Sequence, residues 1–117
     1  MKNFALFFIL ALTLVSCVQK AYERKVELTL RLPQKQVVTT VGVYGSGNPL
    51  SWQQLLALEP IIADSVYRVT FTSKTGFLAT EFKFMVNDQW ELNNQPNRIL
   101  KYNTEGVTKM EVVFDRQ

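Results

Sequence analysis

Three features of the sequence predict an all-β fold. Apolar and polar residues alternate strictly over residues 25–32, and the same period of two returns in later segments. These segments are rich in β-branched and aromatic residues, and clusters of glycine, proline and asparagine separate them. No stretch carries a convincing helical pattern. The sequence therefore predicts an antiparallel β-sandwich of immunoglobulin-like size, with about seven strands in a single small domain.

The predicted strands follow one another with turn sequences between them. In chain order they cover residues 25–32, 37–44, 66–72, 78–86, 99–102 and 107–114. Pro33 closes the first strand, and the glycine- and proline-containing residues 45–49 break the second. Residues 74–76 and 103–106 predict turns. Residues 50–60 are ambiguous, and we expect a helical turn or an irregular crossover that ends at Pro60.

Alternation also predicts which side chains share a face of each strand. Tyr67 falls on the same face as Val69 and Phe71, which favours a core position for this tyrosine. In the next strand, Phe82, Phe84 and Val86 share one face, and Lys83 and Met85 point the other way.

The first residues predict a lipoprotein signal peptide. A short basic segment precedes an apolar stretch over residues 4–15, which is shorter than the about 20 residues of a spanning helix. Residues 14–17, Leu-Val-Ser-Cys, resemble the lipobox of bacterial lipoproteins, which is cleaved before a cysteine that receives lipid. The alternative is an ordinary secretory signal with an incidental cysteine at Cys17. The predicted organisation is a cleaved signal peptide (1–16), a lipidated tether (17–24) and the β-sandwich (25–117).

Lipid on Cys17 would make the protein an exported, membrane-anchored lipoprotein. Val18 is not an acidic retention residue, so we expect the lipid to lie in the outer membrane. The prediction does not choose between its periplasmic face and its surface face. Without Lys2 the chain has 12 basic and 10 acidic residues, a net charge of +2. The basic residues are scattered, so we expect no nucleic-acid partner.

The composition argues against an enzyme. The chain has no histidine, and its only cysteine would carry lipid, which removes Ser-His-Asp and Cys-His nucleophiles and nearly all zinc sites. Glu81, Asp88 and Glu91 could formally supply a carboxylate pair for glycoside hydrolysis, but Asp88 and Glu91 are better explained as solvated turn residues. We therefore expect no catalytic residue, no metal and no cofactor.

Both tryptophans lie in polar, turn-like sequence. Trp52 follows the break at residues 45–49, and Trp90 lies in residues 86–94, which are mostly polar. A small β domain normally places its indoles in the core, so this placement suggests flat aromatic faces presented to a ligand. The alternative is that each indole folds back as a lid over the core. A sugar ring stacks its apolar face on an aromatic ring and needs polar partners for its hydroxyls, and Lys83, Glu91 and Asn97 are nearby in sequence.

The order of these motifs resembles the starch-binding domains of carbohydrate-binding module family twenty, with the glycogen-binding modules as relatives. Residues 81–86 (Glu-Phe-Lys-Phe-Met-Val), then Trp-Glu at 90–91 and Pro-Asn-Arg at 96–98 are similar to the C-terminal half of such a domain. Residues 43–46, 50–52 and 57–60 resemble its upstream segments, although residues 92–95 make one gap longer than is usual in the family.

The resemblance implies the roles of five residues. Trp52 and Trp90 would be the two stacking tryptophans of one glucan site, Lys83 and Asn97 would bond sugar hydroxyls, and Glu91 would contribute beside Trp90. The implied function is a non-catalytic lipoprotein that holds α-1,4-glucan, with the membrane and glycan-processing proteins as partners. The alternative is a structural or protein-interaction lipoprotein with the same sandwich and no sugar binding.

Overall fold

The computed structural model describes residues 20–117, which form nine strands and no helix. In chain order the strands are β1 (Tyr22–Arg31), β2 (Val41–Gly45), β3 (Leu56–Ala57), β4 (Glu59–Ile62), β5 (Val66–Thr75), β6 (Ala79–Val86), β7 (Gln89–Trp90), β8 (Arg98–Lys101) and β9 (Val107–Val113). Since β3 and β7 contain two residues each, seven longer strands remain. The predicted signal peptide and the predicted lipidation site Cys17 lie outside the described residues.

The strands form two packed sheets. The first has the order β4-β5-β1-β9, and the second has the order β3-β2-β6, with β7 and β8 both paired to the remaining edge of β6. The predicted all-β sandwich is therefore confirmed. One departure is that β9 pairs with β1 in parallel, with Lys25 opposite Val107, whereas every other strand pair in residues 20–117 is antiparallel.

The core lies between the sheets and follows the predicted alternation. Its fully buried side chains include Val26, Leu28, Leu30, Val43, Phe82, Phe84 and Val86. The rings of Phe82 and Phe84 meet edge to face, with centroids 5.5 Å apart. Tyr67 is buried as predicted, and its hydroxyl oxygen accepts a hydrogen bond from the backbone N–H of Asp64 at 2.9 Å.

The predicted boundaries differ from the structure in several places. The second strand begins at Val41 rather than at residue 37, and β5 continues to Thr75, into the predicted turn at residues 74–76. Residues 50–60 contain no helical turn, and Pro60 lies within β4 rather than ending a segment. Because β4 is an edge strand, a residue without an N–H is tolerated there. The first strand begins at Tyr22, inside the predicted tether, because its register with β5 continues to Tyr22 opposite Thr75.

A two-residue turn at Asn87 and Asp88 joins β6 to β7. Both residues have positive φ, at 50° and 63°, as a type I′ hairpin turn requires. The Asn87 side chain also holds the segment before β2 in place through hydrogen bonds. Its Oδ1 accepts from the Thr39 N–H at 2.7 Å, and its Nδ2 donates to the Val37 carbonyl at 2.9 Å.

Replacing Asn87 by alanine is expected to lower the free energy of unfolding by about 2–3 kcal/mol. Alanine strains the left-handed backbone and removes the side-chain hydrogen bonds to residues 37–40. Asp88→Gly in the same turn is the control, because glycine suits this position and stability should stay equal or rise. Urea unfolding followed by circular dichroism measures both, and equal stability of Asn87→Ala and the unchanged chain would contradict the role given to Asn87.

Candidate functional site

The outer face of the second sheet carries a pair of aromatic side chains. Phe82 and Phe84 point inward, so Lys83 and Met85 point outward. Tyr44 lies opposite Lys83, and Trp90 lies opposite Met85, which places both aromatic residues on the outward side. Their ring centroids are 4.8 Å apart, and the ring planes are tilted by 43°. We call Tyr44 and Trp90 the aromatic face.

The backbone of Trp90 is fixed by strand pairing. Trp90 belongs to β7 and follows the tight turn at Asn87 and Asp88. The longer segment at residues 92–95 comes after this strand, so it leaves the pairing of Trp90 with Met85 in place. Trp90 remains 37% exposed although it packs on Tyr44. It is therefore neither a residue of an irregular loop nor a buried lid over the core.

Trp52 lies on a separate loop that both sheets hold in place. The Thr80 hydroxyl of the second sheet donates to the Ser46 carbonyl at 2.6 Å, and the Ser73 hydroxyl of the first sheet donates to the Asn48 carbonyl at 2.9 Å. Trp52 is half-buried, and its indole N–H donates to the Ser46 hydroxyl oxygen at 2.8 Å. This bond uses the polar group of the indole within the protein.

The structure does not bring the two indoles into ring contact. Among residues 20–117, the aromatic rings in contact are Tyr44 with Trp90 and Phe82 with Phe84. Tyr44 is thus the aromatic neighbour of Trp90, a residue to which the resemblance gave no role, and the stacking role of Trp52 stays a prediction. Alternation could have identified it, because Val41 and Val43 point inward on β2 and Tyr44 follows on the opposite face.

Lys83 contacts the segment that follows Trp90. Its ammonium group donates to the Leu92 carbonyl at 3.0 Å and to the Gln95 carbonyl at 3.3 Å. An ammonium group has three protons, so one remains for a ligand. Lys83 is half-buried and therefore both stabilises residues 92–95 and lies next to the aromatic face.

Asn97 lies at the other end of the same segment. It directly precedes Arg98, which is paired with Phe82, so its backbone lies beside Lys83, the next residue of β6. Arg98 points inward to Glu91, and Asn97 lies just before β8 begins. Asn97 is half-buried, and its side-chain amide can both donate and accept hydrogen bonds.

Glu91 does not lie on this surface, so the sugar-binding role implied by the resemblance is wrong, and so is the expectation of a solvated turn residue. Its side chain is 0% exposed, and its carboxylate accepts two hydrogen bonds from Arg98, at 2.8 and 2.9 Å. The same carboxylate accepts the backbone N–H groups of Phe84 at 2.8 Å and Asp115 at 3.2 Å. A carboxylate with four internal donors has no free position for a sugar hydroxyl.

The Glu91–Arg98 pair joins the two sheets at one edge of the sandwich. Arg98 also donates to the carbonyls of Val113 and Arg116, at 3.0 and 2.7 Å, at and beyond the end of β9. In return, the Asp115 carboxylate accepts the Leu92 N–H at 2.7 Å. Since Glu91 and Arg98 flank residues 92–97, this buried pair fixes both ends of the segment that separates Trp90 from Asn97.

The outward groups suit recognition of a neutral polar ligand. Aromatic rings lie near an ammonium group and an amide, on the outer side of the second sheet. No cluster of three or more acidic, cysteine or histidine side chains within residues 20–117 could hold a metal ion. Residues 20–117 also contain no helix long and apolar enough to cross a membrane.

Compared with protein-family models and with curated proteins, the chain shows no match, so its resemblance to starch-binding domains depends on the motifs themselves.

Proposed function

We propose that this protein is a non-catalytic module that holds an α-1,4-glucan on the aromatic face. The observation that carries the proposal is the exposed, tilted contact between Tyr44 and Trp90 beside Lys83. A pyranose ring presents C–H groups on one side, and these pack favourably against an aromatic ring. The ring hydroxyls at the edge then need hydrogen-bond partners, which Lys83 and Asn97 can supply.

The tilt of the two rings favours an α-linked glucan over a flat β-linked one. Successive sugars of an α-1,4 chain turn relative to each other, so the chain curves, whereas a β-1,4 chain is extended and flat. Two aromatic rings at 43° form a bent surface that follows a curved chain. The motif resemblance points to the same class of glycan, and the two arguments are independent.

Trp52 contributes at the margin in this proposal. It lies on the loop that begins at Ser46, directly after β2 and two residues beyond Tyr44. The hydrogen bond to Ser46 orients the indole, and a glucan chain longer than two sugars would extend from the aromatic face toward it. Glu91 has no part in sugar contact, because its carboxylate is buried against Arg98.

The expected affinity is low, and avidity would compensate for it. An exposed stacking contact contributes about 1–2 kcal/mol, so a few such contacts give a Kd of roughly high micromolar to millimolar for a short oligosaccharide. Many modules on one membrane surface would bind one polymer far more tightly. Lipid on Cys17, which remains a proposal, would provide that surface. The outer membrane and nearby glycan-processing proteins are the corresponding proposed location and partners.

Amylopectin is expected to retard the protein in a native gel, while a soluble β-1,4-glucan derivative at equal concentration leaves its mobility unchanged. The expected difference arises because only the curved chain can contact both tilted rings. Bovine serum albumin in neighbouring lanes controls for viscosity. Unchanged mobility in amylopectin would exclude the α-glucan proposal. Equal retardation in both polymers would exclude a preference for α-linked over β-linked glucan.

A further inference from the structure

One end of the sandwich carries exposed apolar side chains that the proposed glycan surface does not use. Residues 20–25, 74–79 and 101–106 meet there, and we call them the N-terminal end of the domain. Tyr22 pairs with Thr75, Ala79 pairs with Lys101, and the Tyr102 N–H donates to the Leu78 carbonyl at 2.9 Å. The end therefore combines the start of β1 with the turn between β5 and β6.

The turn between β5 and β6 is apolar where a solvated turn would normally be polar. Phe77 and Leu78 are adjacent, and each is 73% exposed. Tyr22 at the same end is half exposed, and the charged groups of Lys20 and Arg24 lie 5.9 and 5.0 Å from its ring centre. Exposed aromatic and aliphatic groups flanked by cations are typical of surfaces that lie in a membrane interface.

Positive charge is concentrated at this end. Its three segments contain five basic and two acidic residues, a net charge of +3. The rest of residues 20–117 contains seven basic and eight acidic residues, a net charge of −1. The slight positive charge of the whole domain therefore belongs to the end that carries Phe77 and Leu78. Such a distribution complements an anionic bilayer surface.

The short stretch between Cys17 and the first strand also places the N-terminal end near a membrane. Lys20 follows Cys17 by three residues, and an extended chain spans at most about 3.6 Å per residue. An anchor at Cys17 would thus hold Lys20 within roughly 11 Å of the lipidated residue. The anchored end and the exposed apolar turn are the same end of the domain.

We propose that the N-terminal end docks on an anionic lipid bilayer, with Phe77 and Leu78 inserted at the boundary between headgroups and acyl chains. The lysines of this end contact lipid phosphates, Arg24 donates to the Asn103 and Thr104 carbonyls and holds the end together, and Tyr22 lies at the headgroup level. The inference is independent of sugar binding. It gives the domain a fixed orientation, in which Met85, the partner of Trp90, lies six residues of β6, or about 20 Å, farther from the bilayer than Ala79.

The test compares Phe77→Trp with Ile62→Trp. Ile62 is also exposed, at 57%, but it pairs with Val66 at the opposite end of the first sheet, where Val66 meets Arg31. Both variants are purified from membranes, and mass spectrometry records the lipid on Cys17. They are then reconstituted into phosphatidylcholine–phosphatidylglycerol vesicles with brominated acyl chains. The brominated lipid should quench most of the extra tryptophan fluorescence of Phe77→Trp, but not that of Ile62→Trp. Equal quenching of the two would overturn the proposal.

Two further outcomes decide between a bilayer and other occupants. A chain found without lipid on Cys17 is mixed with the same vesicles, and it should float with anionic vesicles and lose this association on Phe77→Ser with Leu78→Ser. Failure to float would overturn the proposal. Sedimentation without lipid should give a monomer. A dimer that the same double substitution dissociates would also overturn it, because a second copy would then cover this end.

Discussion

Replacement of Glu91 by alanine is expected to remove about 3–5 kcal/mol from the free energy of unfolding. The Arg98 side chain is only 8% exposed, so alanine at position 91 leaves a buried guanidinium without its counter-charge. The backbone N–H groups of Phe84 and Asp115 lose their acceptor as well. Because a domain of this size has a total stability of roughly 5–15 kcal/mol, the loss is a large share of it.

Glu111→Ala is a matched control for this effect. Glu111 also pairs with an arginine, and its carboxylate lies 2.6 Å from Arg31, but both side chains are 52% exposed. Water solvates each partner once the other is removed, so the expected loss is below about 1 kcal/mol. The comparison thus changes burial while the residue type, the substitution and the kind of partner stay the same.

Urea unfolding of the two variants measures the difference. Glu91→Gln should fall between them, because the amide keeps the shape and one acceptor oxygen but leaves the Arg98 charge uncompensated. A loss for Glu91→Ala no larger than that for Glu111→Ala would contradict the structural role given to the buried pair.

Trp90→Ala is expected to weaken binding to amylopectin about 10–30-fold, which corresponds to about 1.4–2 kcal/mol. The substitution removes the larger ring of the aromatic face and leaves Tyr44 without the neighbour at 4.8 Å that orients it. Affinity electrophoresis over a series of amylopectin concentrations gives the dissociation constant of each variant. Unfolding curves verify that each variant is folded.

Gln89→Ala is the control for Trp90→Ala, since Gln89 is exposed on the same two-residue strand but pairs with Val86. Its binding should equal that of the unchanged chain. Trp52→Ala should weaken binding less than Trp90→Ala, because Trp52 is half-buried and lies outside the ring contact of the aromatic face. If amylopectin retarded Trp90→Ala as much as the unchanged chain, the aromatic face would not be the binding site. A larger effect of Trp52→Ala would place the site on the loop that carries Trp52.

The buried Glu91–Arg98 pair and the aromatic face are connected through neighbouring residues of the chain. Trp90 points outward and its neighbour Glu91 points inward to Arg98, which directly follows Asn97. Trp90 and Asn97 are thus each directly followed in sequence by one residue of the buried ion pair. The same arrangement explains how a longer segment at residues 92–95 is accommodated without moving Trp90 from Met85.

The sequence by itself determined the fold class and the faces of the strands. A period of two is a local property, because successive side chains of a strand point to opposite sides. Residues 25–32 and 78–86 could therefore be assigned, and the inward positions of Tyr67, Phe82 and Phe84 followed from alternation alone. Lys83 was likewise correctly directed outward.

Only the tertiary structure decided which outward and polar residues meet. Tyr44 and Trp90 are 46 positions apart in the sequence, and their contact follows from the pairing of β2 and β7 with β6. The inward position of Glu91 depends on Arg98 and on the chain beyond β9, because a carboxylate can be buried only where such donors surround it. The turn at Asn87 and Asp88 pairs β7 with β6 locally, but the pairing of β2 with β6 joins segments about 40 residues apart and depends on satisfying the backbone polar groups of the whole domain.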